Sequence, residues 1–240
     1  MSKNFPLSIV ELQGWSIEDQ LVLEEKLLRT HKSNYCLINY GAPKAIVLGI
    51  SGKTEEHLTK SALVAGVPII KRYSGGGSVV TDNNTLFVSF IFNKSNLPAD
   101  LSPHKLMEYS ATIFTKAFSH VPLKLKENDL VIGERKCVGN AQYFQKDRVS
   151  HHCTLLYDYN ATMMRYLAFP PKVPKYRQKR AHEDFLCCFK PFFANVETMA
   201  AKFKESLMQE YAARVVRVGD LDLTKACRIA TKRYDLINNF

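Results

Sequence analysis

The chain of 240 residues is long enough to bury a substantial core, and its 46% hydrophobic and 23% charged residues are ordinary for a globular protein. No run approaches the roughly 18 apolar residues of a membrane helix, so we expect no membrane span. The N-terminus lacks the succession of basic, apolar and small residues typical of a secretory signal, so we expect no such signal. The net charge of +10 favours an anionic partner such as a nucleic acid, a nucleotide or an acidic protein, with a merely solubilising basic surface as the alternative.

Hydrophobic periodicity and turn residues predict interspersed helices and strands. Ser16 is a capping residue with Asp19 three positions later, and the leucines that follow fall on one helical face. In chain order we predict a helix over 16–30, two strands within 35–50, a helix over 51–65, a strand over 67–73 and a hairpin of 78–82 with 85–93. A helix over 103–120, a hairpin over 129–139 that turns at 133–134 and a strand over 148–159 follow. The last predicted elements are helices over 161–167 and 194–211 and a hairpin with a short helix over 216–240.

No repeat or flexible linker divides this succession of elements. The sequence therefore predicts one domain over 1–240, of the α+β class, with a mixed sheet and helices packed on one side. Six cysteines follow no CxxC or zinc-finger spacing, and the adjacent Cys187 and Cys188 would rarely be bridged to each other. We expect reduced thiols and a cytoplasmic location.

Three consecutive glycines stand in the stretch 71–90, KRYSGGGSVVTDNNTLFVSF. Neither the Walker spacing nor the dinucleotide fingerprint occurs, and SVVTD has strand rather than helix propensity, which excludes a helix-capped phosphate loop. A glycine loop between strands lets backbone N–H groups approach a flat or anionic ligand, and Lys71 and Arg72 supply cations. The alternative is a turn with no ligand.

Two further stretches carry candidate site residues. Lys136 follows a tight turn and precedes the small cluster Gly139-Asn140-Ala141, so it either faces a ligand as a movable cation or is a solvated strand lysine. His151 and His152 are adjacent on a predicted strand and point to opposite faces, so they cannot ligate one metal ion together. We expect one of them to line the site or the core.

Four ordered motifs together resemble the lipoate–protein ligase A family of the biotin/lipoate ligase superfamily. They are the arginine–serine–triple-glycine stretch, Asn128-Asp129-Leu130, GERKCVGNAQ and HHCTLL. The helix with Glu24-Glu25 is also similar to the family's N-terminal helix. The likeness covers about residues 16–215, and we expect a C-terminal extension over 216–240. The chain is thus expected to be a short form that lacks the family's second, smaller domain.

The resemblance implies a fold like class II synthetases and biotin ligases, with a mixed sheet flanked by helices. It implies that lipoate (or octanoate) and ATP give lipoyl-AMP and pyrophosphate, with Mg²⁺ and no tightly bound cofactor. The acyl group would then pass to a lysine of a carrier, either the lipoyl domain of a 2-oxoacid dehydrogenase complex or the glycine-cleavage carrier protein. Some short relatives need a separate accessory protein for adenylation.

The motif match also implies roles for particular residues. Arg72 would bind the nucleotide phosphate, Gly75 and Gly76 would leave space for the lipoyl chain, and Lys136 would bridge the lipoyl carbonyl and the α-phosphate. Asn128 and Asp129 would anchor the phosphate side, with Asp129 as a candidate Mg²⁺ ligand. The remaining residues implied to bind ATP or lipoyl-AMP are Ser74, Gly77, Ser78, Val79, Val80, Asp82, Gly139, Asn140, Ala141 and His152.

This chain departs from the family pattern at three positions. Thr81, Asn140 and Cys153 stand where the family usually has histidine, serine and glycine. The first leaves the nucleotide contact near Asp82 open, and the other two would reshape the pocket mildly.

Two other functions compete with the ligase. One is an ATP-independent octanoyl- or lipoyl-transferase, which needs a cysteine nucleophile; Cys137 and Cys153 lie near the motifs but not where such relatives carry it. The other is a non-catalytic nucleic-acid binder that uses the basic segment 173–180, VPKYRQKR, within the proline-limited stretch 170–185. That stretch would equally attract an acidic carrier domain, and we prefer this interpretation, with no nucleic acid and no membrane as partners.

Overall fold

The computed structural model describes residues 3–234 as two β-sheets with seven α-helices. The helices are α1 (Ile17–Thr30), α2 (Thr54–His57), α3 (Lys60–Val64), α4 (Pro103–Ala117), α5 (Ala161–Met164), α6 (His182–Phe185) and α7 (Val196–Glu210). The strands are β1 (Lys3–Glu11), β2 (Asn34–Asn39), β3 (Ala45–Leu48), β4 (Ile69–Lys71), β5 (Val79–Thr81), β6 (Thr85–Asn93), β7 (Leu123–Lys126), β8 (Asp129–Ile132), β9 (Arg135–Phe144), β10 (Arg148–Leu156), β11 (Tyr211–Val215) and β12 (Lys232–Arg233).

The larger sheet has eight strands in the order β11-β1-β2-β6-β10-β9-β8-β7, and the smaller has the order β12-β4-β3-β5. In the larger sheet β1 runs parallel to β11 and to β2, while the other neighbours are antiparallel. This arrangement confirms the predicted α+β class with a mixed sheet. No helix among residues 3–234 is long and apolar enough to cross a membrane.

The central strand β6 explains why the larger sheet is covered on both faces. Leu86, Val88, Phe90 and Phe92 pack into a core with α4 and α7, whereas Phe87 and Ile91 pack with α1 and the smaller sheet. Side chains alternate between the two faces of a strand, so an apolar run of this length needs packing partners on both faces of the sheet. The expectation that helices pack on one side only was therefore wrong.

Several predicted elements also differ in detail. The helices over 16–30, 103–120 and 194–211 and the hairpin at Gly133-Glu134 are confirmed, but 51–65 forms two short helices and 161–167 only one turn. The stretches 78–82 and 85–93 are not a hairpin, because β5 pairs with β3 while β6 pairs with β2 and β10. A turn in which the Asn84 N–H donates to Asp82 Oδ1 carries the chain from one sheet to the other.

The chain after β11 does not form the predicted hairpin and helix in its described part, 216–234. It instead crosses α1 and adds β12 to the edge of β4. The backbone N–H groups of Ala230 and Thr231 donate to the buried carboxylate of Glu25, which also accepts from the Arg29 guanidinium at 2.6 Å. These partners lie about 200 positions apart in sequence, so local pattern could not reveal them. The last residues of the predicted short helix lie outside the described residues.

The Glu25 carboxylate provides a test of how firmly this C-terminal crossing is held. Glu25→Ala leaves two backbone donors and the Arg29 side chain without their acceptor, and we expect a loss of roughly 3 kcal/mol in the free energy of unfolding. Glu18→Ala removes only a more exposed contact to Arg233 and should cost less than about 1 kcal/mol. Urea unfolding measures the free energy of unfolding of both variants. Equal losses would contradict the conclusion that Glu25 holds the crossing segment in place.

Candidate functional site

The glycine loop 72–77 is organised by the buried side chain of Arg72. Its Nε donates to Ser74 Oγ at 3.0 Å, and its Nη2 donates to the carbonyl oxygens of Gly75 and Gly77 at 2.6 and 2.9 Å. Burial lowers the pKa of Arg72 to about 10, which leaves the guanidinium charged at neutral pH. The carbonyl groups of the loop are thereby held around a fixed cation at the edge of a cavity.

Close packing explains why the loop contains glycine. Gly76 has φ of +99°, and a Cβ there would lie 2.9 Å from Arg72 Nη2. Its carbonyl oxygen in turn approaches Gly49 so closely that a Cβ on Gly49 would lie 2.3 Å away. Gly75 and Gly77 have no such neighbour within 4 Å, and of the three glycines only Gly77 lines the cavities described below.

A chain of hydrogen bonds links this loop to helix α1. Ser74 Oγ lies 2.7 Å from His152 Nε2, and His152 Nδ1 lies 2.9 Å from Glu24 Oε2. A neutral imidazole with its proton on Nδ1 satisfies both contacts, because it donates to the carboxylate and accepts from the serine hydroxyl. The fully buried Glu24 carboxylate also accepts from Gln20, Ser89 and Tyr73.

Sequence reasoning missed Gln20 and Glu24 as parts of the site. The available signal was their position on the face of α1 that also carries buried leucines, where a polar side chain must find a buried partner. The partners of Glu24 come from β6, β10 and the glycine loop, which only the tertiary fold brings together.

Two cavities meet beside the glycine loop. The smaller, of about 110 Å³, has an apolar wall formed by Ile17, Leu21, Val47, Val79 and Phe87, with Glu24, Arg72 and His152 at its polar side. The larger, of about 540 Å³, has apolar walls from Val80, Val138, Leu156, Met164, Leu167 and Leu186 and a charged part with Glu127, Asp129, Lys172 and Arg177. Both are lined by Gly77, Ser78, Val79, Lys136, Gly139 and Thr154.

Lys136 stands at this shared wall and is not a solvated strand lysine. The β8–β9 hairpin places its ammonium 2.6 Å from Asp129 Oδ1, with 24% of the side chain exposed. Tyr176 donates its hydroxyl to the other oxygen, Asp129 Oδ2, at 2.9 Å. Each carboxylate oxygen of Asp129 therefore already has one partner within the protein. Among residues 3–234, no cluster of three His, Cys, Asp or Glu side chains could hold a metal ion.

The structure brings most, but not all, of the predicted site residues to these cavities. Asn128 and Val80 line the larger one, Asn140 and Ala141 the smaller one, and Ser74 supports the loop from behind. Asn140 Nδ2 donates to the carbonyl oxygen of Asn128 at 2.8 Å and so ties two motifs together. Asp82 lies apart, in a separate recess with Thr81, and lines neither cavity.

The adjacent histidines point to opposite faces of β10, as predicted. His152 lines the smaller cavity, while His151 is buried near Ser110 and accepts from Gln142 Nε2 at 3.0 Å. Burial and the neighbouring His152 lower the pKa of His151 to about 3. His151 is thus a core residue on the face away from the cavities.

The basic stretch 170–185 packs over the larger cavity instead of forming a continuous exposed patch. Arg177 is buried, and Arg180 donates to the carbonyl oxygens of Glu134 and Tyr176. Glu127 accepts from the backbone N–H groups of Lys175 and Tyr176, which fastens the stretch to the β7–β8 turn. Only its lysines are left exposed as surface cations, namely Lys172, Lys175 and Lys179.

Residues 16–212 match the family model of the lipoyl protein ligase A/B catalytic domain, which is more than half of the chain. The chain belongs to this family. Among lipoyl ligase relatives, it is 26% identical over 242 residues to a Plasmodium falciparum protein named inactive lipoate–protein ligase 2, a match that covers 75% of this chain and 62% of the relative. The chain spans less than two thirds of the length of the curated relatives it matches.

Solved lipoyl ligase structures share the fold. A bipartite lipoate protein ligase from Thermoplasma acidophilum, studied with its E2 lipoyl domain, superposes with a TM-score of 0.75, covering 89% of this chain and 88% of that one at 15% identity. A lipoate–protein ligase A bound with ATP gives a TM-score of 0.71, covering 90% of this chain and 89% of that one at 16% identity. The fold implied by the four motifs is therefore confirmed.

Close packing between Gly49 and the glycine loop is open to direct test. Gly49→Ala forces a methyl group against the Gly76 carbonyl, and we expect a loss of about 1–3 kcal/mol in the free energy of unfolding. Gly75→Ala, in the same loop, meets no atom within 4 Å and should change stability by less than about 1 kcal/mol. Denaturant titration of the two variants compares them, and similar losses would show that the loop does not press on Gly49.

His151 predicts a measurable pH dependence of stability. Its pKa is about 3 in the folded protein and 6.5 in the unfolded chain, so the unfolded state binds a proton that the folded state resists. This stability is fully present above pH 6.5 and is lost as the pH falls towards 3, by up to about 1.4 kcal/mol per pH unit. In His151→Gln, the unfolding free energy should depend less steeply on pH between pH 6.5 and 4.5, by that amount per pH unit. An unchanged slope in urea titrations would refute the contribution.

Proposed function

We propose that the protein is an ATP-dependent lipoate–protein ligase. It activates lipoate as lipoyl-AMP and transfers the acyl group to a lysine of a carrier domain. The observation that carries the proposal is the position of Lys136 in the wall shared by the two cavities. A site that joins an apolar acid to a nucleotide needs two adjoining pockets and a cation where the carboxylate meets the α-phosphate.

The two cavities suit the two substrates. The apolar wall of the smaller cavity fits the aliphatic chain of lipoate, and burial of this chain provides binding energy. The larger cavity combines apolar walls for a base with a charged part for phosphates, and it would take ATP with its Mg²⁺ as substrate. Gly77, Ser78, Val79 and Val80 would offer their backbone to the adenylate. Gly139, in the wall shared by both cavities, makes room for the Thr154 side chain, because a Cβ there would lie 2.7 Å from Thr154 Oγ1.

The chemistry follows from this placement. A lipoate carboxylate oxygen attacks the α-phosphorus, the bond from that phosphorus to the bridging oxygen breaks, and pyrophosphate leaves with the electron pair. Lys136 neutralises negative charge on the α-phosphate and on the acyl oxygen, while Arg72 holds the glycine loop in place through the carbonyl oxygens of Gly75 and Gly77. The amine of the carrier lysine then attacks the acyl carbonyl, and AMP is the leaving group.

Asp129 and His152 would have positioning roles in this reaction. Asp129 orients the Lys136 ammonium, and Tyr176 fixes the carboxylate in turn. His152 supports Ser74 and through it the Arg72 side chain. The family resemblance also assigned Asp82 to the nucleotide, and its place outside both cavities supports a role in the turn after β5 instead.

A cysteine-dependent transferase is the alternative that thiol chemistry argues against. Burial raises the pKa of Cys137 and of Cys153 above the ordinary range, so both remain thiols at neutral pH. A hydrogen bond with Cys137 lowers the pKa of Cys187 to about 7, but Cys187 lines neither cavity. All six cysteines, each within the described residues, are free.

The carrier partner would be a lipoyl domain, as for the Thermoplasma ligase studied with an E2 lipoyl domain. The glycine-cleavage carrier protein is the second candidate. Because that ligase is bipartite and the Plasmodium relative is named inactive, adenylation without a separate protein is the step that most needs measurement. Mass spectrometry of a lipoyl domain incubated with lipoate and the protein alone, with and without MgATP, tests it.

Lys136→Ala should abolish the gain in mass of the lipoyl domain, with a loss of at least about 10²-fold in both adenylation and transfer from preformed lipoyl-AMP. The control is Lys124→Ala, an exposed lysine on β7 that lines neither cavity. Carrier modification from an octanoyl-carrier donor without ATP, surviving in Lys136→Ala, would overturn the ligase proposal in favour of a transferase.

A further inference from the structure

Arg177 is a buried cation in the wall of the larger cavity. Its side chain lies between the rings of Phe169 and Phe185, with the guanidinium carbon 4.7 Å from each ring centre, and only 4% of the residue is exposed. Its Nε donates to the carbonyl oxygen of Arg180 at 3.2 Å. Its Nη2 is buried and has no hydrogen-bond partner among residues 3–234.

The absence of a partner for Nη2 is costly in a folded protein. A buried N–H group of a charged side chain without an acceptor loses the full free energy of its hydration. The two carboxylates that line the same cavity are already engaged, since Asp129 accepts from Lys136 and Tyr176 while Glu127 accepts from two backbone N–H groups. The two aromatic rings compensate the charge only in part. An anion in the cavity would complete the site.

The position of Arg177 distinguishes it from Lys136. Lys136 and Ser78 stand at the wall shared by both cavities, where an acyl carboxylate would meet the α-phosphate, and Ser78 Oγ is likewise buried without a partner among the described residues. Arg177 lines the larger cavity only, together with Lys172. It therefore lies in the charged part of the larger cavity, outside the wall where the acyl carboxylate would meet the α-phosphate.

We propose that Arg177 binds the β- and γ-phosphates of the nucleotide and holds the pyrophosphate group as it leaves. This inference rests on the proposed adenylation. When the bond between the α-phosphorus and the bridging oxygen breaks, its electron pair stays with pyrophosphate, and negative charge grows on that group. A guanidinium is suited to this role because its planar donors match phosphate oxygens and its charge persists at neutral pH.

The same geometry argues against Arg177 as a contact for an acidic carrier domain. Phe169 and Phe185 cover its two faces, and a folded domain cannot reach a side chain that is 4% exposed. The exposed lysines of the stretch, such as Lys175 and Lys179, are available for that purpose. Transfer from preformed lipoyl-AMP involves no pyrophosphate, so Arg177 serves only the first of the two steps.

The test compares Arg177→Met with Arg180→Met. Methionine keeps an unbranched apolar stem between the rings and removes the charge. Arg180 lies 5.3 Å from the same Phe185 ring but does not line the cavity, so it is a matched control. Isothermal titration with inorganic pyrophosphate and with AMP should show that Arg177→Met weakens pyrophosphate binding about ten- to hundredfold and AMP binding less than threefold. Arg180→Met should change neither by more than threefold.

Kinetics supply a second measurement. In Arg177→Met, formation of lipoyl-AMP from ATP should fall at least tenfold more than transfer from preformed lipoyl-AMP. If that variant does not fold, Arg177→Lys keeps the charge without the planar donors, and its pyrophosphate affinity should fall several-fold more than its AMP affinity.

Wild-type affinity for pyrophosphate in Arg177→Met, or an equal loss in Arg180→Met, would overturn the inference. So would a wild-type protein that does not bind pyrophosphate. The binding experiment does not depend on turnover: pyrophosphate binding that requires Arg177, in a protein that forms no lipoyl-AMP, would refute the proposed function and leave this site standing.

Discussion

The buried carboxylate of Glu24 is the constraint around which the candidate site is arranged. It receives donors from α1, from β6 and from Tyr73 of the glycine loop, and it contacts His152 of β10. Through His152 and Ser74 the chain of contacts continues to Arg72, whose guanidinium holds the loop carbonyls. A buried charge is stable only when its partners are in place, so this one interaction fixes the relative position of four elements.

The cations of the site differ in how far their donors are already bound within the protein, and this determines which of them can act on a ligand. Arg72 donates to the glycine loop, and Arg180 donates to the carbonyl oxygens of Glu134 and Tyr176. Lys136 contacts a carboxylate at a wall that both cavities share, and Arg177 carries a donor with no acceptor among residues 3–234. Two of the chain's many cations, Lys136 and Arg177, thus face the larger cavity.

The segment 216–234 connects the site to the rest of the fold from the opposite side of α1. It delivers two backbone donors to Glu25, the neighbour of Glu24, and it adds β12 to the strand that leads into Arg72. Glu24 and Glu25 thus have different tasks, one facing the cavity and the other the chain that crosses α1. The helix is held on both sides by buried carboxylates, which limits its movement relative to the glycine loop.

Local pattern was sufficient for the amphipathic helices α1, α4 and α7, for the turn at Gly133 and for the glycine loop, because capping residues, a 3.6-residue period and glycine chemistry act over short distances. Ordered motifs likewise indicated the family and singled out Lys136. Tertiary structure alone decided that β5 and β6 belong to different sheets, that Arg177 is buried beneath two aromatic rings and that Glu24 contacts His152. The strand pairings and the Glu24–His152 contact depend on partners far apart in sequence, where burial and hydrogen-bond satisfaction override local propensity. The rings around Arg177 are near it in sequence, but its burial depends on how the stretch 170–185 packs over the larger cavity.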